Sequence, residues 1–535
     1  MTTITPFAAG SYITNRNASQ LQALKSQLND LTNQLSSGQV SQTYGGLGSG
    51  RSTALSAQAT LSALSGYAAG ITAAQTRTDL AVTSLTQVAT LGTSTGTMLQ
   101  NGLQSVAANS VSGRSTALAN LQTALDTLNE SAAGNYLFGG TDTTTQPVVD
   151  SSKILDGTTD ASGNTLDGLS TLISQRVTAE LGAGGNGRLT QTLASPATSV
   201  QVTEESNNLT RGQFGFTLAG APTTTGSAIG ATYTAGTATS PGSFSLSMTT
   251  QPSAGDTVSF ALKMADGTST TITLTAATSA DPKSITNFAI GSTPAQTMAN
   301  LSATLSNALT GAANSTLAVN ATAATASNFF SGAAEGGPSG SGVMPQRILY
   351  DGTTPVGYRA ATPQDTVLWY QGENTYTQPA PPAVPQPTSA IDTQSVQVSA
   401  TGSVGTGARA NDPAVQNVLA GLATMAFGLP TTNDANTYNT YQTVATKAGS
   451  LLSSANQTPS VQDTVTQLTV ASTRLSNAGT TNKALQNTVQ NTLDGIEQIS
   501  PEEVITKLLD VQNRLQASYQ VTATLSKLSL VNYIS

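Results

Sequence analysis

The sequence contains no cysteine and no histidine, and these two absences exclude several kinds of site. Without cysteine the fold can use neither disulfides nor thiolate metal sites. Cysteine usage therefore does not indicate whether the protein works in an oxidising or a reducing compartment. Without histidine there is no imidazole base, so a Ser-His-Asp arrangement for nucleophilic catalysis cannot form. We therefore predict no catalytic residues, no metal site and no cofactor, and we expect that the protein is not an enzyme.

Charged and aromatic residues are also scarce, at 9% and 4% of the chain. The length of 535 residues allows several domains, but large apolar side chains are too few for one dense core. The net charge of −8 and the lack of a basic run argue against nucleic acid or an anionic membrane as a partner. No segment approaches the roughly 18 apolar residues of a membrane span, so we expect no membrane insertion.

The first seven residues have neither a basic patch nor an apolar core, and a conventional signal peptide needs both. A chain that is free of cysteine and poor in charge nevertheless suits an extracellular assembly. We therefore expect export by a dedicated route, without a cleaved signal peptide.

The clearest helical pattern begins at Ser500. Ser500 can cap a helix, Pro501 fits its first position, and Glu503 can bond back to the cap. Behind this start, side chains recur at alternating spacings of four and three, which is the period of a coiled-coil seam. The seam consists of Val504, Leu508, Val511, Leu515, Ser518, Thr522 and Leu525.

A matching stripe lies near the other end of the chain, in a run without proline or glycine. It consists of Leu21, Leu24, Leu28, Leu31 and Leu35. Neither helix can bury its stripe alone, so we predict that the two pack together. An ordinary intramolecular bundle is the alternative, but so thin a pair would be marginal in water, and intermolecular assembly is favoured. The predicted assembly interface is Leu21, Leu24, Leu28, Leu31, Leu35, Val504, Leu508, Val511, Leu515 and Leu525.

Between the two ends the pattern changes from helix to strand and back. We predict helices up to about residue 140, then strands at 244–248, 258–262 and 270–274, with Asp266-Gly267 as a hairpin turn. A helix over 298–309, a strand at 366–370 and a proline-rich spacer at 379–387 follow, before helices resume at Asp412-Pro413. The predicted fold is mainly α, with terminal helices paired in coiled-coil layers and a β-rich (α+β) central insert.

Three parts follow from this pattern. Residues 1–40 and 500–535 form an inner terminal coiled-coil layer, and residues 41–140 and 450–499 form a second helical-bundle layer. Residues 141–449 form an outward-facing insert.

Two local motifs suggest chemistry but have simpler explanations. Gly45-Gly-Leu-Gly-Ser-Gly50-Arg51-Ser52 has the spacing of a phosphate-binding loop, but Arg51 replaces the required lysine and no buried strand precedes it. A hinge between helices explains these glycines better. Glu204 and Glu205 are a conceivable carboxylate pair, but adjacent acidic residues in a polar stretch are usually solvated, and we predict that here.

Both ends of the chain resemble the bacterial flagellin superfamily. Leu35-Ser-Ser-Gly38 after a leucine heptad is similar to the family's N-terminal signature, although Gln39 stands where a basic residue is common. Leu508-Leu-Asp-Val-Gln-Asn-Arg-Leu-Gln-Ala-Ser-Tyr519 is similar to its C-terminal helix. The likeness covers roughly residues 1–140 and 450–535. It implies a structural protein of the flagellum that is exported unfolded by the type III route.

Two roles within the superfamily compete. Gly134-Asn-Tyr-Leu-Phe-Gly-Gly-Thr141, with Pro147 behind it, resembles hook–filament junction proteins, as do Trp369-Tyr-Gln-Gly-Glu373 and the segment 411–422. The resemblance implies a hook-associated protein that forms a homo-oligomeric ring or helical assembly. Its implied partners are the first hook-associated protein, flagellin and a flagellar export chaperone. The long insert keeps the filament subunit open as the alternative, and a secreted adhesin is a hypothesis from another class.

Overall fold

The computed structural model describes residues 6–331, 344–373, 390–431, 434, 436–453 and 459–534. The chain is 56% helical, with several small antiparallel sheets, so the prediction of a mainly α fold with a β-containing region is confirmed. The predicted proline-rich spacer at 379–387 lies outside the described residues.

The helices differ widely in length, from six residues to 52. They are α1 (Pro6–Ser37), α2 (Arg51–Gly102), α3 (Val106–Thr127), α4 (Ser151–Asp156), α5 (Leu169–Leu181), α6 (Asn208–Gln213), α7 (Pro294–Ala312), α8 (Ala318–Ser331), α9 (Pro413–Gly428), α10 (Thr437–Leu452), α11 (Val461–Glu497) and α12 (Pro501–Ile534). Short 3₁₀ turns cover Tyr44–Gly50 and Ala390–Thr393, and a π-helical turn covers Ala313–Leu317.

The strands are short, with nine residues in the longest. They are β1 (Ser131–Ala132), β2 (Asn135–Tyr136), β3 (Thr158–Thr159), β4 (Thr165–Leu166), β5 (Thr190–Leu193), β6 (Ser199–Thr203), β7 (Thr217–Leu218), β8 (Thr223–Thr224), β9 (Ile229–Thr234), β10 (Ser243–Met248), β11 (Thr257–Lys263), β12 (Ser269–Ala277), β13 (Asn287–Ala289), β14 (Gln346–Asp351), β15 (Thr354–Ala360), β16 (Ser395–Gln397) and β17 (Ser403–Gly405).

The chain divides into two compact units. The first contains the residues up to 73, 397–403 and those from 474 onward, and the second contains 74–396 and 404–473. Helices α2 and α11 each contribute residues to both units. The three-part division predicted from the sequence, into two helical layers and an insert with boundaries near 40, 140, 450 and 499, stays a prediction.

In the first unit, α1 contacts α12, and the early part of α2 packs against the late part of α11. Ala54, Ala57 and Leu493 form a small buried cluster between α2 and α11. The Asn482 side chain donates a hydrogen bond of 2.8 Å to the Leu64 carbonyl. The glycine-rich segment before α2 is a 3₁₀ turn between helices, which fits the predicted hinge.

The larger core of the second unit surrounds α9, a helix that is apolar on nearly all sides and is contacted by α3, α8 and α10. Its start was predicted correctly, since the Asp412 carboxylate accepts a hydrogen bond from the Ala414 N–H and proline occupies the first turn. Helix α2 passes through Gly92 and Gly96 without a break and ends at Gly102. A Cβ on Gly102 would stand 1.8 Å from the Tyr441 hydroxyl oxygen, so glycine is required for this close packing.

A second core lies between two sheets and helix α7. One sheet has the order β5-β6-β10-β9, and the other has the order β13-β12-β11-β7, with β8 also paired to β11. The three predicted strands correspond to β10, β11 and β12, and the predicted 298–309 helix lies within α7. Strands β11 and β12 pair antiparallel from Thr257 opposite Thr275 to Lys263 opposite Ser269, with Gly267 in the turn at a φ of +84°.

Two local predictions were wrong. Residues 366–370 form isolated bridges rather than a strand, because Thr366 pairs with Asp167 and Tyr370 pairs with Val148, on different segments. At the start of α12, Glu503 does not bond back to the cap but forms an ion pair with Lys507 at 2.7 Å. The Ser500 hydroxyl donates to the Glu502 carboxylate instead, at 3.2 Å.

Candidate functional site

Helices α1 and α12 are joined where the first ends and the second begins. The Val40 N–H donates to the Glu497 carbonyl at 2.7 Å, and the Ile499 N–H donates to the Gly38 carbonyl at 3.2 Å. Because these bonds connect the end of α1 to the start of α12, and the two helices contact one another, they run antiparallel. The structure thus brings together the two helices that carry the predicted interface.

The predicted interface residues are only partly covered within the single chain. Val504 and Val511 are buried, at 6% and 8% exposure, and Leu35 is 38% exposed. The other described members are half-buried, namely Leu21, Leu24, Leu28, Leu31, Leu508 and Leu515. The side chain of Leu525 lies outside the described ones. The pair of helices therefore leaves much of its apolar stripe accessible.

A second apolar stripe on α12 was missed by the sequence reasoning. Ile505, Leu509 and Tyr519 are 44%, 53% and 51% exposed. Each follows a seam position by one residue, which places it about 100° further around the helix. The four-residue spacing of Ile505 and Leu509 could have indicated this stripe, but only the longer heptad pattern beside it was assigned to the interface.

A different face of α12 is charged. Glu503 pairs with Lys507 at 2.7 Å, and Asp510 pairs with Arg514 at 3.0 Å, each at a spacing of four residues. All four side chains are well exposed, so these pairs contribute little stability. The helix therefore presents one seam toward α1, one exposed apolar stripe and one solvated ionic face.

The motifs that carry the junction-like resemblance meet in the second unit. The Glu373 N–H donates to the Gly139 carbonyl at 2.9 Å, and the Glu373 carboxylate accepts from the Thr141 N–H at 2.9 Å. The N–H of Ala410, the residue directly before the 411–422 segment, donates to the Phe138 carbonyl, also at 2.9 Å. Three segments that are far apart in sequence thus form one hydrogen-bonded cluster.

The aromatic residues of this cluster are almost inaccessible to solvent. Trp369 is 1% exposed and donates its indole N–H to the Phe330 carbonyl at 3.0 Å. Phe138 and Tyr370 are 0% exposed. These side chains therefore act in packing, and they offer no free surface to a partner.

The prediction that Glu204 is solvated was wrong. Glu204 is 5% exposed, and its carboxylate accepts hydrogen bonds from the Leu218 and Gly242 N–H groups, both at 2.7 Å. The Arg211 guanidinium lies 3.7 Å away and supplies the opposite charge. Glu205 is half-buried and pairs with Arg188 at 3.1 Å. The two carboxylates therefore fix loops of the insert separately and do not form an acid–base pair.

Two further searches cover the described part of the chain. It contains no group of three or more acidic residues, the metal-binding side chains that this sequence offers, placed to hold a metal ion. Within the same ranges, no helix combines the length and the apolar character that crossing a membrane requires.

Comparison with known proteins matched no family model, no curated protein and no solved structure.

Proposed function

We propose that this protein is a structural subunit of the bacterial flagellum, a hook-associated protein that joins hook to filament. It assembles with copies of itself in a ring or helix through coiled-coil packing of its terminal helices. Its neighbours are the first hook-associated protein and flagellin, and an export chaperone escorts it. The protein acts outside the cell after export, and its role includes no catalytic step.

The observation that carries the proposal is the incomplete burial of the terminal helices. The seam between α1 and α12 is half-exposed, and the Ile505–Leu509–Tyr519 stripe has no cover from the described residues of this chain. Each leucine that becomes buried contributes about 1.5–3 kcal/mol. Neighbouring copies that cover these stripes provide that stabilisation, which the single chain lacks.

The cluster formed by Phe138, Glu373 and Ala410 favours the junction role over the filament role. Phe138 and Glu373 lie in segments that resemble junction proteins rather than flagellins, Ala410 directly precedes a third, and here the three bond to one another. A filament subunit of the same architecture is the second candidate, because the insert is long for a junction protein.

Deletion of the gene tests the role. Cells that lack a junction protein should build hooks, fail to retain filaments and release flagellin into the medium. Normal filaments on the deletion strain would overturn the junction role. Immunogold labelling along whole filaments, rather than at the hook end, would assign the protein to the filament.

Leu515→Asp tests the helix interface itself. The variant places a carboxylate in an apolar seam, where burial without a partner is costly. The variant should be exported and keep the circular dichroism of the insert, yet fail to join the hook end, and the cells should be non-motile. The matched control is Asn513→Asp, which adds the same charge at an exposed position of α12. Wild-type motility of the Leu515→Asp strain, or equal loss in both strains, would contradict the proposed interface.

A further inference from the structure

A hollow of about 390 Å³ lies between helix α5 and strand β14 in the second unit. Its volume falls within the range of small-molecule sites. The lining residues are all polar, namely Ser170, Thr171, Ser174, Gln175, Thr178 and Tyr350. None of them carries a formal charge at neutral pH, so the hollow suits a polar but uncharged ligand.

The Ser and Thr hydroxyls that line the hollow have no hydrogen-bond partner among the described residues. Ser170, Ser174 and Thr178 recur every four residues along one side of α5, with Thr171 beside them. None of these four hydroxyls makes a hydrogen bond to the described chain, as far as the structure extends.

Many helical threonine hydroxyls elsewhere in the described chain are instead bonded within their own helix. On α2 they donate to the carbonyl four residues before, as Thr86 does at 2.6 Å and Thr97 at 2.9 Å. The α5 hydroxyls are therefore available to donate and to accept hydrogen bonds at the surface of the hollow.

Two other lining groups are held in place by the surrounding fold. The pairing of β14 with β15 shifts register between Leu349 and Tyr350, and such bulges redirect side chains. Tyr350 accordingly lines the hollow and keeps 41% of its surface exposed. The Gln175 amide is fixed from behind, since it donates to Asp167 and accepts from Arg347, both at 3.4 Å.

The charges behind the hollow cancel. Asp167 forms an ion pair with Arg347, while Asp365 pairs with Arg347 at 3.5 Å and with Arg359 at 2.8 Å, so two carboxylates face two guanidinium groups. The Arg347 side chain is only 10% exposed, so it holds the amide of Gln175 without presenting its charge to a ligand. The site therefore offers neutral hydrogen-bonding groups and one aromatic ring.

We propose that this hollow binds one sugar unit of a neutral saccharide. A hexose ring has an equatorial belt of hydroxyls and an apolar C–H face. The hydroxyls match the row of Ser and Thr on α5 and the fixed amide of Gln175, and the C–H face matches the exposed ring of Tyr350. Binding is weak, because the hollow is shallow and its hydroxyls are hydrated in the free protein.

Ligand-detected NMR on the full-length protein tests the assignment. The probes are neutral hexoses and N-acetylhexosamines, one at a time at millimolar concentration, with glucuronate as a charged comparison. We expect saturation transfer from the protein to the ring protons of at least one neutral sugar. Tyr350→Ala should weaken that binding by about tenfold or more, and Ser174→Ala should weaken it by a few-fold.

The control variant is Tyr438→Ala, which removes another exposed tyrosine of the same unit, at 53% exposure, and should leave binding unchanged. Circular dichroism establishes that each variant is folded. The proposal is wrong if no neutral sugar gives a transfer signal. It is also wrong if glucuronate binds as well as the neutral sugars, or if Tyr350→Ala and Tyr438→Ala have the same effect.

Discussion

The buried carboxyl group of Glu180 should make the free energy of unfolding depend on pH, and the substitution Glu180→Gln should remove that dependence. This carboxyl group lies at the end of α5, is 5% exposed and accepts a hydrogen bond of 2.8 Å from the Gly215 N–H. Burial raises the pKa of Glu180 to about 7, although the Gly215 hydrogen bond and the charges of Arg176 and Arg188 lower it, while Asp266 raises it slightly. The group is therefore largely neutral in the folded protein below pH 7.

The sign and size of the effect follow from linkage. In the unfolded chain the carboxyl has its ordinary pKa of 4.5, so the folded state binds the proton more tightly. The stabilising contribution is fully present below pH 4.5 and is lost as the pH rises to about 7. A pKa difference of this size corresponds to about 3 kcal/mol in the free energy of unfolding. Glu180→Gln keeps an acceptor for the Gly215 N–H but has no proton to lose.

Urea unfolding of both proteins between pH 4.5 and pH 8 measures this contribution. At the acid end the two midpoints should nearly coincide. Toward the alkaline end the Gln variant should become the more stable protein, by up to about 3 kcal/mol. Glu130→Gln makes the same change at an exposed position of the same unit and serves as the matched control. A constant offset for Glu180→Gln across the whole range would refute the reasoning.

Two further substitutions test the packing of the second unit, each by the urea midpoint against a matched control. The Leu419 side chain has no exposure, so Leu419→Ala opens a cavity and should lower the free energy of unfolding by about 2–5 kcal/mol. Leu209→Ala, at a 58% exposed site, should lower it by less than about 0.5 kcal/mol. Gly187→Ala should cost about 1–3 kcal/mol, because φ is +69° and the new Cβ would stand 2.3 Å from the Phe216 ring. Gly220→Ala, with open space around its Cβ, should change little. A cost as large in either control as in its partner would contradict the packing described for that site.

Much of the regular structure was predictable because its signals are local. Alternating apolar residues indicated β10, β11 and β12, and Asp412 followed by proline indicated the start of α9. The strand predicted at 366–370 failed because a strand needs one partner along its length, and this segment bonds to two. The two-residue strands β3, β4, β7 and β8 have no period long enough to recognise.

The environments of polar residues were less predictable, since their partners are distant in sequence. Glu204 is buried because amide groups of Leu218 and Gly242 and the charge of Arg211 converge on it. No local pattern distinguishes such a glutamate from a solvated one. The hollow on α5 is similar, because its tyrosine comes from β14 and is placed by a bulge.

The two ends of the chain and the insert are stabilised in different ways, and we therefore predict that folding and the proposed assembly are separable. The insert closes a core with side chains such as Leu246 and Phe288, which have no exposure, so it needs no partner to bury them. The terminal helices are held by one narrow apolar seam. The apolar contacts of a single seam do not offset the conformational entropy that a helix loses on ordering, so other faces of the helix must also be covered. If the proposed interface is correct, Leu515→Asp should therefore affect assembly while the insert keeps its fold. Substitutions such as Leu419→Ala affect folding first, and any effect on assembly follows from that.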